Sequence, residues 1–297
     1  MSDETRTNIS NTGGTDPERT EKLPPIPLGS TQEQDLSGNS LAGYRLVRKI
    51  AMGGMGVVYE AIQTKLDRKV ALKVLTEQLG SRPEFLQRFE REAKAAAALS
   101  HPNMVQVFDY GEVEGRHYII MEYIEGLNLS AYIDEHGKLS VDHALDLVEQ
   151  AAQALKAAAE KSIIHRDIKP SNLLLTADGR VKVADLGLAK ILTQDSELTL
   201  SNVSIGSPHF LAPEQADDSR SADHRADIYS LGVTLLFLLT GKHAYDGNSP
   251  ISIVLSHTNK PLPTGAELGT ELPEEIEDLV HKMAAKDPND RYQDYQS

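Results

Sequence analysis

Two polar segments near the middle of the chain carry side chains that could do chemistry together. The first reads His-Arg-Asp-Ile-Lys-Pro-Ser-Asn over residues 165–172, and the second reads Asp-Leu-Gly from residue 185. They supply two carboxylates, a lysine and an asparagine. Transfer of a phosphoryl group from a metal-bound nucleotide needs a carboxylate near the attacking hydroxyl, oxygen ligands for magnesium and a cation beside the developing charge. The ordered set indicates that chemistry, whereas an isolated aspartate in a loop is usually a turn former or a helix cap.

A glycine-rich segment lies upstream and reads Ala-Met-Gly-Gly-Met-Gly-Val-Val over residues 51–58. Glycine lets a backbone approach phosphates closely and present N–H groups to them. Gly53, Gly56 and Val58 match a G-x-G-x-x-G-x-V pattern, while Ala51 stands where its first glycine would be. Alone, such a segment is more often only a turn, but its position between the first two predicted strands favours phosphate binding.

A lysine follows on the third predicted strand, in Val-Ala-Leu-Lys over residues 70–73. Side chains alternate between the two faces of a strand, so Ala71 and Lys73 point the same way. A small residue over a flat base and a cation near phosphates would suit a nucleotide. For an isolated lysine the default interpretation is an edge-strand residue on the surface.

Composition narrows the class of protein. The 297 residues contain no cysteine, which excludes disulfides and zinc–thiolate sites and suits a reducing cytoplasm. The formal net charge of −14 argues against a broad nucleic-acid-binding face. The most apolar run, residues 233–239, is far shorter than the roughly 20 residues that span a bilayer, so we predict no membrane segment in this chain and a buried helix over that run.

The chain divides into a polar tail and a two-part globular region. Residues 1–40 are rich in Ser, Thr, Asn, Gly and Pro and predict a disordered tail. The next part is rich in β-strands and has one main helix, with Ser81 in a capping box at the start of that helix. Helices dominate after residue 126, and Ser140 is expected to cap a long one that ends near Lys161. The predicted strands of the first part are residues 44–49, 57–63, 69–75, 105–110 and 116–123.

With these motifs in order, residues 41–297 resemble the eukaryotic-like serine/threonine protein kinases of bacteria. The resemblance implies an α+β, two-lobed kinase fold, with an N-lobe over residues 41–122 and a C-lobe over residues 127–297 whose last helix is truncated. It also implies ATP and Mg²⁺ in the cleft. By this match Asp167 is the catalytic base, Lys169 stabilises the transferred phosphate, and Asn172 and Asp185 are the magnesium ligands. Leu186 stands where phenylalanine is commoner and can fill the same apolar position.

The same resemblance assigns the nucleotide site. Glu92 is expected to pair with Lys73; Glu90, its rival, lies about 200° away on the helical wheel. Met121 would guard the back of the pocket, the backbone of Glu122 and Ile124 would bond the adenine edge, and Asn128 would reach the ribose. Ile50 would help to enclose the ring. The expected nucleotide contacts are Ala51, Gly53, Gly54, Gly56, Val58, Ala71, Lys73, Met121, Glu122, Ile124, Asn128 and Leu174.

Residues 185–214 resemble an activation loop. Thr199 and Ser201 are the expected autophosphorylation sites, and Ser207 is expected beside Asp167 and Lys169 in the substrate groove. Arg166 would bind a loop phosphate through charge-assisted bonds. Thr193, Ser196 and Ser204 are further candidates, and each could instead be an ordinary polar loop residue.

Two structural contacts are also expected near this loop. We expect Glu214 to pair with Arg291, and Asp227 to anchor the backbone of the catalytic loop. Neither residue is assigned a chemical role.

Three functional hypotheses follow. The first is an active, non-specific serine/threonine protein kinase that acts on proteins, with a homodimer through the small lobe expected by analogy. The second is a pseudokinase that holds nucleotide without transferring phosphate, supported only by Ala51 and Leu186. The third, a small-molecule kinase, is disfavoured by the Ala-Pro-Glu element at residues 212–214. We expect a cytoplasmic domain, or the cytoplasmic part of a longer membrane-anchored protein.

Overall fold

The computed structural model describes residues 35–186, 208–218 and 222–296. Most of the predicted tail therefore lies outside the described residues. Within them, a sheet-rich small lobe precedes a helical large lobe, as the sequence predicts.

The small lobe is built on a six-stranded antiparallel sheet in the order β1-β2-β3-β4-β6-β5. The sequence predicted five of these strands. The strand that it missed, β1, has only two residues and therefore no readable alternation. The strands are β1 Ser40–Leu41, β2 Tyr44–Gly53, β3 Gly56–Gln63, β4 Arg68–Leu75, β5 Val107–Val113 and β6 Arg116–Glu122.

Strand β4 is buried on both faces, which explains its nearly continuous apolar sequence. Leu72 packs with Tyr59 in the cluster on one face, while Ala71 packs with Phe89 on the other. Lys73 is also buried and shares the second face with Ala71, as the alternation predicted. The nucleotide-site candidates on this strand therefore lie on the face that a helix covers.

Two helices, not one, cover that face: α1 Glu77–Gly80 and α2 Pro83–Ala97. The predicted capping box at Ser81 is wrong. Ser81 ends α1, and its hydroxyl donates to the Gln78 carbonyl at 3.0 Å. Arg82 occupies the N-cap of α2 without a side-chain cap, and Pro83 starts the helix. The short helix α1 ends so close to α2 that Ser81 serves as the C-cap of α1 and cannot also cap the start of α2.

The large lobe surrounds one central helix. Its described elements are α3 Leu129–His136, α4 Val141–Ala159, β7 Leu173–Leu175, β8 Val181–Val183, α5 Pro213–Asp218, α6 His224–Thr240, α7 Pro250–Asn259 and α8 Glu274–Met283. Every residue from 226 to 240 in α6 is buried, which confirms the predicted buried helix. Ser140 caps α4 as predicted, accepting from the His143 N–H at 3.4 Å. No helix in the described ranges is long and apolar enough to cross a bilayer.

Gly56, at the start of β3, is fixed by packing within the sheet. It has φ +149°, and a Cβ placed on it would lie 1.9 Å from the backbone oxygen of Val74. Gly53, opposite it in the register, has open space around the same position. The conformation and the contact together exclude a side chain at residue 56 and not at residue 53.

We therefore predict different costs for the two glycine-to-alanine substitutions. Gly56→Ala should lower the free energy of unfolding by roughly 2–3 kcal/mol, because the strand backbone must move to admit a methyl group. Gly53→Ala, the matched control, should change it by less than about 0.5 kcal/mol. Urea denaturation of both variants measures the difference, and equal stabilities would contradict the packing argument.

A buried histidine lies where α6 and α7 meet. His257 is 1 % exposed, and its Nδ1 lies 2.9 Å from the hydroxyl of Tyr229. Burial, with a smaller effect from the charge of Lys286, lowers the pKa of His257 to about 3. An unfolded chain would bind a proton at this histidine near its ordinary pKa of 6.5. The neutral form therefore contributes stability above about pH 6.5 that is lost as the pH falls toward 3.

We predict that His257 accounts for about one of the protons that the protein takes up when it unfolds at acid pH. Between pH 6 and 4, His257→Asn should reduce the slope of unfolding free energy against pH by up to about 1.4 kcal/mol per unit. Asparagine retains an acceptor for Tyr229 and cannot titrate. His136→Asn, at an exposed histidine, should leave the slope as in the parent. Chemical denaturation across this pH range provides the measurement, and identical slopes for parent and His257→Asn would refute the assignment.

Candidate active site

The segment that contains Asp167 is held by a carboxylate from the central helix. Asp227 accepts hydrogen bonds from the backbone N–H groups of His165, at 2.8 Å, and Arg166, at 2.7 Å. Burial raises the pKa of Asp227, against the opposing effect of His165 and the two N–H donors. Arg166 has φ +65°, a conformation that costs a non-glycine residue about 1–3 kcal/mol. The predicted anchoring by Asp227 is confirmed, and it holds the loop in a conformation that would otherwise be unfavourable.

Two of the predicted site residues, Lys169 and Asn172, donate hydrogen bonds to Asp167. The Lys169 ammonium donates to both carboxylate oxygens of Asp167, at 2.9 and 2.7 Å. The side-chain amide of Asn172 donates to the Asp167 carboxylate at 3.0 Å and to its backbone carbonyl at 2.8 Å. These donors fix the carboxylate, while 27 % of the Asp167 side chain stays exposed and can meet a hydroxyl.

Asp185 follows β8 directly and has φ +60°. Its carboxylate accepts from the Lys73 ammonium at 2.7 Å, and the Lys73 side chain is only 7 % exposed. Burial by itself would raise the pKa of Asp185, but the charge and hydrogen bond of Lys73 outweigh it, so this pKa lies below its ordinary value. The carboxylate is therefore ionised at neutral pH.

The expected Lys73–Glu92 ion pair is absent among the described residues. Glu92 instead pairs with its neighbour Arg91, at 3.2 Å, while Lys73 pairs with Asp185. A nearly buried ammonium must be paired, and the nearest carboxylate is that of Asp185. The structure does not show the expected pair, so a positioning role for Glu92 stays a proposal.

The predicted adenine pocket forms one apolar cluster. Ala71 and Met121 are buried, and Val58, Ile124 and Leu174 pack against the same cluster. The register places Ala71 opposite Met121, which brings them together from adjacent strands. These five residues lie in one apolar cluster, and their enclosing an adenine ring stays a prediction.

Of four other predicted nucleotide contacts, one is exposed and three have structural roles of their own. Ile50 is 38 % exposed at the edge of this region. Asn128 caps α3, accepting from the Ala131 N–H at 2.9 Å. The backbone N–H of Glu122 donates to the Gln106 carbonyl at 2.8 Å, which leaves its own carbonyl for other partners. Position 56 requires glycine because a Cβ there would meet the backbone of Val74, whether or not the residue also contacts a nucleotide.

Magnesium suits the donor set at Asp185 and Asn172. Asn172 uses its amide N–H₂ on Asp167, which leaves its carboxamide oxygen as an acceptor beside the Asp185 carboxylate segment. The backbone N–H of Ala184 also donates to the Asn172 carbonyl at 2.9 Å and joins the two segments. Within the described ranges no group of three or more His, Cys, Asp or Glu could hold a metal. One or two protein oxygens with phosphates and water are what Mg²⁺ usually takes.

Beyond the catalytic loop, the Ala-Pro-Glu element is tied to the lobe at two points. Glu214 forms a two-pronged pair with Arg291, at 2.6 and 2.8 Å, which confirms the predicted contact. The sequence reasoning missed Gln215, whose amide donates to the Arg166 carbonyl at 2.9 Å. Its position directly after this element was the available signal. Gly187, Thr193, Ser196, Thr199, Ser201, Ser204 and Ser207 lie outside the described residues.

Most of this chain is similar in sequence to known proteins. The family described as "Protein kinase domain" matches residues 44–296. Serine/threonine-protein kinase PrkC of Bacillus subtilis (strain 168) is 41 % identical over 259 residues, which cover 87 % of this chain and 40 % of PrkC. Serine/threonine-protein kinase PknA of Mycobacterium tuberculosis is 40 % identical over 261 residues, 86 % of this chain and 59 % of PknA.

A solved structure shows the same fold. The kinase domain of Mycobacterium tuberculosis PknI aligns with a TM-score of 0.70 and 29 % identity, covering 88 % of this chain and 94 % of that domain. The chain spans 40 % of the length of PrkC and 59 % of the length of PknA. On the family match and these identities, the chain belongs to the protein kinase family, beside bacterial relatives that are named serine/threonine-protein kinases.

Proposed function

We propose that the chain transfers the γ-phosphoryl group of ATP to serine and threonine hydroxyls of proteins. The observation that carries the proposal is the arrangement at Asp167, where Lys169 and Asn172 both donate to one partly exposed carboxylate. The anchoring by Asp227 and the proximity of Asp185 support it. Since the reaction consumes ATP, we place the domain in the cytoplasm.

The side chains divide the work between the two substrates. Asp167 orients the attacking hydroxyl and accepts its proton, and Lys169 offsets the charge that develops on the transferred group. Lys73 binds the α- and β-phosphates, with Glu92 positioning it. The apolar cluster at Ala71 and Met121 encloses the adenine. Mg²⁺, held by Asp185 and Asn172, would neutralise phosphate charge.

The substrate groove and the activation loop complete the proposal. We propose that Thr199 and Ser201 are autophosphorylated and that Ser207 lies beside the hydroxyl acceptor. Arg166 supplies a guanidinium next to Asp167; one of its nitrogens already donates to the Ala222 carbonyl at 2.9 Å. A loop phosphate would add charge-assisted bonds to that guanidinium.

The pseudokinase alternative is not favoured. The chain retains every group that phosphoryl transfer needs, and its relatives are named as kinases. Ala51 and Leu186 are the two departures from the family's motifs, and neither is one of the carboxylates proposed for catalysis or metal binding. Leu186 is buried and packs in the core of the large lobe, which is what an apolar residue at this position should do.

We predict that Asp167→Asn lowers kcat at least about a hundredfold, because asparagine cannot accept the proton, and leaves ATP binding intact. Asp178→Asn is the matched control, since this carboxylate is 58 % exposed in the turn between β7 and β8. Transfer from γ-³²P-labelled ATP to the protein itself and to a generic basic protein measures both. Normal turnover of Asp167→Asn would exclude Asp167 as the base.

A second arm separates an active kinase from a nucleotide-binding scaffold. Phosphate on Thr199 or Ser201 in the parent, and its absence in Asp185→Asn, would establish loop autophosphorylation by this active site. Calorimetric ATP binding by a parent that transfers no phosphate to any acceptor would instead favour the pseudokinase.

A further inference from the structure

A lysine–glutamate pair joins β8 to the end of β6 and has no role in the chemistry described above. The Lys182 ammonium, on β8, lies 2.8 Å from the carboxylate of Glu122 at the end of β6. Their side chains are only 14 % and 28 % exposed. The pair joins the small lobe's last strand to the hairpin of the large lobe. Among the described residues, Glu122 is the hydrogen-bond partner of the Lys182 ammonium, so the ammonium depends on this carboxylate.

Glu122 is fixed on its other side by the segment between α2 and β5. Its carboxylate accepts from the backbone N–H of Gln106 at 3.2 Å, and its own N–H donates to the Gln106 carbonyl at 2.8 Å. The carboxylate and the backbone N–H of Glu122 are therefore both hydrogen-bonded to Gln106. This matters because the proposed adenine-binding backbone begins at Glu122.

Strand β8 is tied to the same segment. The Val105 N–H donates to the Val183 carbonyl, and the Val183 N–H donates to the Asn103 carbonyl, each at 2.9 Å. The Asn103 side chain also donates to the Val181 carbonyl at 2.9 Å. Two residues after Val183 comes Asp185. The linker between the lobes, residues 122–126, is proposed to meet adenine. This linker and the strand that precedes the proposed metal ligand are thus both bonded to residues 103–106, and Lys182 connects them directly.

The environment of this pair distinguishes it from an ordinary surface pair. Lys69 and Glu125 also join a strand to the linker, but at 3.3 Å and with side chains 51 % and 80 % exposed. Exposed pairs of that kind contribute little, because water and salt screen them. The shorter, largely desolvated Lys182–Glu122 pair is a charge-assisted bond that resists both effects.

We propose that Lys182 and Glu122 form a positioning pair that holds the adenine-binding linker in register with the strand that carries Asp185. The two ends of ATP are then bound in one fixed geometry. The inference rests on the proposed function, because it concerns the same nucleotide site. Neither side chain touches the reacting atoms, so the expected effect is on binding at both ends of the nucleotide.

Binding measurements test each end separately. Adenosine has no phosphates, so its Kd reports the linker alone. The ratio of the ATP Kd in EDTA to that in Mg²⁺ reports the metal-dependent part of binding. Lys182→Met keeps the apolar stem and removes the charge, and it should weaken adenosine binding and reduce the Mg²⁺ ratio by roughly fivefold each.

Two further variants make the result specific. Glu122→Gln keeps an acceptor for Gln106 and the linker backbone, and should reproduce both changes; the double variant should be no worse than either single one, because both remove the same interaction. Lys69→Met, the matched control, should change neither quantity. Thermal unfolding of each variant establishes that it is folded, and Glu122→Gln serves alone if Lys182→Met is not.

The outcomes are distinct. Adenosine binding by Lys182→Met and Glu122→Gln within 1.5-fold (about 0.2 kcal/mol) of the parent would overturn the proposal. A loss at the adenosine end with an unchanged Mg²⁺ ratio would also overturn it, since the pair would then serve the linker only. Equal changes in adenosine binding and in the Mg²⁺ ratio for Lys69→Met would also overturn the proposal, because removing any charge near the linker would then have the same effect. A parent that binds neither adenosine nor ATP would refute the proposed function itself.

Discussion

The buried carboxylate of Asp227 is the interaction on which the site depends. It lies on the central helix α6, where every residue from 226 to 240 is buried, so its position is fixed by the whole core of the large lobe. Two backbone N–H groups donate to it and hold Arg166 at positive φ. A buried charge is costly unless it is fully hydrogen-bonded. The catalytic loop supplies those bonds, so the core and the loop stabilise each other.

The remainder of the site is assembled from short-range contacts on that frame. Lys169 and Asn172 reach Asp167 from within the same loop, over two and five positions of sequence. Asp185 comes from the neighbouring hairpin, which residues 103–106 and Lys182 hold from behind. Lys73 arrives from the small lobe, 112 positions away, and is the long-range element. The position of the Asp167 carboxylate is therefore set by contacts within its own loop, whereas the geometry around Asp185 depends on how the lobes meet.

This division explains what the sequence could predict. The five longer strands of the small lobe, the long helix α4 and the buried α6 were predictable because each has a clear period, cap or apolar run, and Asp227 and the Glu214–Arg291 pair followed from ordered motifs. The cap at Ser81 was not, because a second helix competes for the same residue. The partner of Lys73 was not either, since a choice between Asp185 and Glu92 depends on distances across three elements. Lys182 has no local signal at all.

The identity of the carboxylate that pairs with Lys73 would link nucleotide binding to the position of α2. If Asp185 ligates a metal, that ion would compete with the Lys73 ammonium for the carboxylate, and a displaced, nearly buried ammonium would need another anion. Phosphate oxygens or Glu92 can serve, and Glu92 must turn away from Arg91 to do so. An apolar cavity lies beside this helix, lined by Ala93 and Ala96 of α2, by Met121 and by Asp185. Ala93 and Ala96 are the two residues that α2 contributes to that cavity. If Glu92 is the second partner of Lys73, as the proposed function requires, a single ammonium with two alternative carboxylates would couple the metal ligand to the helix.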